Sequence, residues 1–433
     1  MYDVNIAIAI LLGVFAVMIL CKLPITFALA SSSVLTALYM GLPMMSVIQQ
    51  MAKSVNSFSL MAIPFFILAG EIMGAGGISD RMLKAANACV GHLRGGLAHV
   101  NVLGSMLFGH LSGSAVADVS SLGSIEIPMM VNAGYDEDFS VAVTVASSCQ
   151  GVLIPPSHNM IIYSLAAGGV SVGALFMAGL LPGIMCGLSL MLVCGIISVK
   201  RQYPKGERMS WKARGKVLLD ASFALFTAVI ILVGVTAGWF TATESAAIAA
   251  IYAFIVAMFV YKELKWKMMP RILMNVVKTL AMVFSLIAAA GAFGWLMAYL
   301  QVPSLITEGL QAITSNKYVL LILINIILLL LGCVMDMAPL IVIVSPILVP
   351  VVANLGMSPV QFGVVLIFNL AVGLCTPPVG SALFVGCGIG HITIEKTTKA
   401  MLPMYAAMVT CLLLVTFVPE ISLFLPRLLG YPV

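Results

Sequence analysis

Ser147-Ser148-Cys149-Gln150-Gly151-Val152-Leu153-Ile154-Pro155-Pro156-Ser157-His158-Asn159 sets two prolines where an apolar helix ought to be continuous. It lies within Phe139 to Val199, a tract without a single Asp, Glu, Lys or Arg. A proline removes a backbone donor and displaces the carbonyl four residues earlier. Two in a row, after Gly151, should open about one full turn. The device returns at Gly373-Leu374-Cys375-Thr376-Pro377-Pro378-Val379-Gly380-Ser381, within Met337 to Ile394, which is also uncharged. The match extends outward: Ile125, Pro128, Asn132, Gly134 and Val143 recur as Ile347, Pro350, Asn354, Gly356 and Val365, all at an offset of 222. A duplicated, interrupted membrane helix points to the binding site of a secondary transporter.

Composition agrees. The 433 residues are 62% hydrophobic and 9% charged, with mean hydropathy +1.15. A soluble domain carries roughly 25% charged residues. Each uncharged tract exceeds the ~20 residues one spanning helix needs. Val4 to Cys21 lacks a basic leader and a clear cleavage site, so it reads as a retained helix. No P-loop and no H-E-x-x-H zinc site occurs. The nine cysteines show no C-x-x-C pattern and lie mostly in apolar tracts, as buried thiols do. The net charge of +5 comes from basic residues at segment ends and does not indicate nucleic acid.

Charge-poor stretches predict an all-α polytopic membrane protein with about ten crossing helices. They lie near 4–21, 24–42, 57–77, 138–166, 171–199, 217–238, 243–261, 274–300, 359–390 and 399–425. Two further stretches, 95–133 and 317–355, are interrupted by small and polar residues and read as re-entrant helical hairpins. Lys22, Arg81/Lys84/Arg94, Lys200 to Lys216, Lys262 to Arg271 and Lys396/Lys399 then share one side, the cytoplasmic one. The opposite loops carry chiefly Lys53 and Lys317, and the N-terminus faces outward. The two halves become inverted repeats. Scaffold helices are expected over 1–78 and 217–300, amphipathic connectors over 79–94 and 301–316, a cytoplasmic linker over 201–216, and hairpin, broken helix and following helix over 95–200 and 317–433.

The hairpin tips carry the first candidate ligands: Ser112, Gly113, Ser114 and Asp118, and Gly332, Cys333 and Asp336. Small residues let the backbone turn inside the membrane and leave carbonyls free for a small hard cation. A mid-membrane carboxylate costs roughly 2.5–3.5 kcal/mol and is a functional candidate by default. Capping of a half-helix is its structural alternative. In the broken helices, freed carbonyls near Gly151 and Gly373, with the hydroxyls of Ser148 and Thr376, complete the proposed Na⁺ ligands. Gln150, Ser157, Asn159 and Ser381 are the candidate substrate contacts. Glu71 and Glu126 rank below them because both stand near predicted helix ends. Thr241 or Thr243 is expected to cap the helix that begins beside Glu244. No Lys or Arg lies in either broken-helix region.

Four stretches give these features a family likeness: Ala62-Ile63-Pro64-Phe65-Phe66-Ile67-Leu68-Ala69-Gly70-Glu71, Gly91-His92-Leu93-Arg94-Gly95-Gly96-Leu97-Ala98, Ser112-Gly113-Ser114-Ala115-Val116-Ala117-Asp118 and Phe240-Thr241-Ala242-Thr243-Glu244. Over nearly its whole length the chain resembles the large membrane subunit of tripartite ATP-independent periplasmic (TRAP) transporters. The resemblance implies an elevator-type carrier in the bacterial inner membrane, coupled to Na⁺. It also implies a separate small four-helix membrane subunit and a soluble periplasmic binding protein that delivers a carboxylate. Ser147 to Gly151 and Pro155 to Asn159 look more like the sialic-acid members than the C4-dicarboxylate ones. An ion channel would require a repeated filter or a ring of like charge, and an intramembrane enzyme an acid pair or a Ser/His constellation on facing helices. Neither a filter nor a protease-type motif around Asp118 or Asp336 is present.

Overall fold

The computed structural model describes residues 3–206, 208–314 and 316–433, and within them every regular element is a helix. The first half runs α1 (Val4–Leu20), α2 (Ile25–Met40), α3 (Met44–Val55), α4 (Ala62–Ala75), α5 (Ile78–Val90), α6 (Gly96–Ser112), α7 (Ala115–Ser121), α8 (Gly123–Asn132), α9 (Glu137–Gly151), α10 (His158–Ala166) and α11 (Val172–Lys200). The second runs α12 (Trp211–Thr236), α13 (Ala242–Ile255), α14 (Met269–Tyr299), α15 (Val302–Ile313), α16 (Lys317–Gly332), α17 (Met337–Asn354), α18 (Pro359–Leu374), α19 (Ser381–Ile389), α20 (Ile394–Phe417) and α21 (Pro419–Leu428). The chain is an all-α polytopic membrane protein, with six helices long and apolar enough to cross a bilayer and several shorter apolar ones.

The offset of 222 is built into the helices. α7 and α17, α9 and α18, and α11 and α20 begin at residues separated by that number. Equivalent positions also touch: Cys149 Sγ donates to the Ala371 carbonyl at 3.1 Å, and Cys411 Sγ meets Ser189 Oγ at 3.4 Å. A residue that contacts its own repeat mate lies on a two-fold axis. Cys375 Sγ donates to the Val145 carbonyl at 3.2 Å, so a step forward along α9 is a step backward along α18. The broken helices therefore cross antiparallel and the repeats are inverted. The second half of each broken helix then packs on the other repeat's hairpin, α10 against α17 and α19 against α7.

Local chemistry sets the breaks. Val152 to Ser157 and Cys375 to Gly380 are non-helical, as the double prolines require. At the helix that starts beside Glu244, Thr241 is the cap. Its hydroxyl accepts from the Glu244 N–H at 3.2 Å, while Glu244 Oε2 accepts from the Thr241 N–H at 2.7 Å. Thr243 instead ties α13 to the α4 entrance through the Phe58 carbonyl, at 3.3 Å. The nine cysteines are all free thiols, and seven are buried.

Two stretches differ from expectation. Lys53, expected in a loop, lies in α3, which packs on α14. Ser46, Gln49, Gln50 and Lys53 make α3 too polar to register as a span. The last span does not run through 399–425, because Val418 is extended and Pro419 starts α21. The residue before a proline avoids helical backbone.

At the base of the first hairpin, Arg201 Nη1 lies 2.8 Å from Asp136 Oδ2 and 2.9 Å from Asp138 Oδ1. The Tyr203 hydroxyl donates to Asp136 at 2.7 Å. The Tyr203 bond, and then Arg201, hold the Asp136 carboxyl below its ordinary range.

Candidate functional site

Both hairpins turn beside the breaks. In the first, Gly113 takes the left-handed conformation (φ 58°) that ends α6, and Ser114 caps α7 through the Ala117 N–H. Asn159 Nδ2 donates to the Gly113 carbonyl at 2.7 Å. In the second, the Gly380 N–H donates to the Cys333 carbonyl at 3.1 Å. Each tip is thus tied to the point where its own broken helix resumes. Glycines permit the approach. A Cβ on Gly109 would stand 2.7 Å from Gly151 Cα, and one on Gly373 would stand 2.7 Å from Gly332 Cα.

The first hairpin is further pinned by Asn101. It donates to Thr144 Oγ1 at 2.7 Å and accepts from Ser147 at 2.8 Å. Asn325 and Asn369 make the matching bond in the second repeat, at 2.8 Å. Ser105 lies 3.1 Å from Ser147 and also hydrogen-bonds Asp118.

The two aspartates are not repeat mates. At an offset of 222, Asp336 corresponds to Ser114 and Asp118 to Leu340. Asp118 is 2% exposed, and its Oδ1 has no partner among the described atoms. Asp336 is exposed and caps α17, accepting from the Met337 N–H at 2.9 Å. Glu126, ranked low from sequence, is fully buried, and neither carboxylate oxygen has a partner among the described atoms. The signal for it was its spacing from Asp118 through Leu122, which puts both acids on one helical face.

The remaining candidates divide. Ser148 back-bonds to the Val145 carbonyl and Thr376 to the Val372 carbonyl, at 2.8 and 2.7 Å. Ser157 and Ser381 have buried hydroxyls with no partner among the described atoms. Gln150 is drawn away from the tips: its Nε2 donates to the Val102 carbonyl at 2.6 Å and its Oε1 faces Gly187 on α11. The Ser112 side chain lies outside the described residues. Pro155 and Pro156 are buried, whereas Pro378 is exposed. A cavity of about 590 Å³ separates the tips from α4 and α14, lined by Ser114 and Asp336 on one wall and Glu71, Arg271, Asn275 and Thr279 on the other. Arg271 supplies a cation that neither broken helix contains, and its distance in sequence hid it. The unpartnered atoms in and around the tips are oxygens, which suit a hard cation better than a transition metal.

The family model described as "Tripartite ATP-independent periplasmic transporter, DctM component" matches residues 12–421. The chain belongs to this family. Members include the sialic acid TRAP transporter large permease protein SiaM of Vibrio cholerae, 40% identical over 88% of this chain and 90% of that one. The isethionate TRAP transporter permease protein DctMQ of Oleidesulfovibrio alaskensis is also 40% identical, over 96% of this chain and 66% of that one. Among solved structures, the YdaH transporter of Alcanivorax borkumensis aligns with TM-score 0.62 at 15% identity, covering 86% of each chain. That likeness concerns the fold. A TRAP large permease is a transport subunit, not an enzyme.

Proposed function

We propose that this TRAP permease subunit carries out Na⁺-coupled uptake of a carboxylate substrate across the inner membrane by an elevator movement. The observation that carries the reading is the tying of each hairpin tip to its own broken helix, with half of that helix packed on the opposite hairpin. Such a unit, 95–200 with 317–433, can slide as one body against the scaffold of 1–78 and 217–300. Asp118, Ser114 and Ser148 with the carbonyls near Gly113 and Gly151 would hold Na⁺ in the first repeat. Asp336, Thr376 and the carbonyls near Gly332, Cys333 and Gly373 would do so in the second. Ser157, Asn159 and Ser381 are the substrate contacts nearest the tips; Gln150, whose Nε2 is held by the Val102 carbonyl, has left to offer only its Oε1, which has no partner among the described atoms.

The partners are a small four-helix membrane subunit and a periplasmic binding protein, and the N-terminus faces the periplasm. N-acetylneuraminate is the preferred candidate, on the likeness of Ser147 to Gly151 and Pro155 to Asn159 to sialic-acid members. The test is uptake by proteoliposomes containing both membrane subunits, with binding protein outside. N-acetylneuraminate and succinate should be compared under an inward Na⁺ gradient. Accumulation of one acid that stops when choline replaces Na⁺ supports the reading. Equal uptake in choline removes the coupling, and ohmic ion flux without accumulation makes the chain a channel.

A further inference from the structure

A second cavity, of about 350 Å³, lies at the other end of α14. Its scaffold wall carries Gln50, Lys53 and Ser57, and its other wall Ala166 of α10 and Pro346 of α17. The scaffold walls of the two cavities are repeat mates: Gln50, Lys53 and Ser57 of one correspond, at an offset of 222, to Ile272, Asn275 and Thr279 of the other. Their charges are opposite in character. Lys53 is the only formally charged residue among the described residues lining its cavity. It makes no ion pair with a described residue; the cations so engaged are Arg81, Arg201 and Arg427. In the mate, the lysine is replaced by an amide that donates to Glu71 Oε2 at 3.1 Å, and Asp336 adds a second carboxylate. Arg271 there is outnumbered by the two acids.

We infer that the Lys53 cavity is an oxyanion-binding station, where a carboxylate or sulfonate is held at the scaffold before the mobile unit takes it, and that the other cavity, where two carboxylates outweigh Arg271, releases it. A largely apolar cleft of this volume with one cation and a few hydroxyl and amide groups is what a small anionic ligand requires. A lysine there acts as a point charge on a flexible stem and reads charge more than shape. The duplicated architecture thus holds an electrostatic difference between its two ends, in the direction expected for import of an anion. This deepens the proposed function and rests on it for the identity of the cargo, but the charge of the cavity can be measured without a substrate.

The probe is a cysteine at Ala166, on the wall facing Lys53, in the complete transporter with Cys21 and Cys89 changed to Ser. Reaction rates are compared for 2-sulfonatoethyl methanethiosulfonate, an anion, and 2-(trimethylammonium)ethyl methanethiosulfonate, a cation. Lys53→Gln should lower the anion-to-cation rate ratio about five- to tenfold, the size expected for one charge acting through a watery cavity on reagents of opposite sign. Lys53→Arg should keep it, which also shows that the helix still folds. An unchanged ratio in Lys53→Gln overturns the station, whatever the transport result. If the ratio falls but the parent protein accumulates neither N-acetylneuraminate nor succinate, the station stands and the assigned cargo does not.

Discussion

Gly373→Ala tests the close approach on which the second repeat depends. The new methyl would lie 2.6 Å from Gly332 C, 2.7 Å from Gly332 Cα and 3.0 Å from the Cys333 nitrogen. These are backbone atoms and cannot rotate aside. Forced overpacking of this kind costs about 1–3 kcal/mol. Gly388→Ala is the control, because nothing lies within 4 Å of the position. Helix propensity alone should then stabilise by up to about 1 kcal/mol. The two variants should differ by about 1–4 kcal/mol, which separates their midpoints by a few degrees in a chain of this size. The assay is thermal unfolding of the detergent-solubilised transporter, read by intrinsic fluorescence. Gly373→Ala should also lose uptake, because its tip cannot seat against the break. A Gly373→Ala midpoint equal to or above that of Gly388→Ala would refute the packing argument.

Three further outcomes are expected. Asp336→Ala should lose about 1 kcal/mol of helix capping and raise the Na⁺ concentration for half-maximal uptake; Asp336→Asn should recover stability alone, and unchanged Na⁺ dependence in both would remove Asp336 as a ligand. Ser210→Cys should resist an impermeant maleimide in intact cells while Lys317→Cys reacts; the reverse would invert the orientation (the natural choice, Ser315, lies outside the described residues). For the Asp136–Arg201 latch, a depressed carboxyl gives stability that is present above the ordinary aspartate value and lost as pH falls through the folded one. The midpoint gap between wild type and Asp136→Asn should therefore hold from pH 8 to about 5 and close below about pH 4. Because the pair is largely exposed, the gap should correspond to no more than ~1 kcal/mol, and a gap already closed at pH 6 would contradict the assignment.

Much of this was legible because it depends on local backbone chemistry. Double prolines break a helix wherever they stand, so Val152 to Ser157 and Cys375 to Gly380 could be located without a structure. The uncharged tracts gave the membrane class, and the constant offset gave the repeats. What stayed hidden depends on which faces meet. Asp118 and Asp336 look alike in sequence, yet one is enclosed between helices and the other caps an exposed turn. Gln150 adjoins the break, and the sequence could not tell that helical rotation carries its amide nitrogen to the Val102 carbonyl. From sequence, Arg271 could not be associated with the tips, nor Lys53 with Pro346 of α17, since only tertiary packing sets α14 against α17 and α3 against α14.

The central claim is that hairpins and broken helices move as one body against the scaffold. Ser114→Cys tests it most directly, because this residue lines the cavity between that body and α14. Its labelling by an impermeant thiol reagent should be measured in oriented proteoliposomes from each side, with and without Na⁺ and substrate-loaded binding protein. The account predicts reaction from the cytoplasmic side in one condition, and protection or reaction from the periplasmic side in the other. Ligands can shift this balance only as far as their affinities for the two states differ. Labelling from one side at a constant rate in every condition, in protein that transports fully, would contradict it.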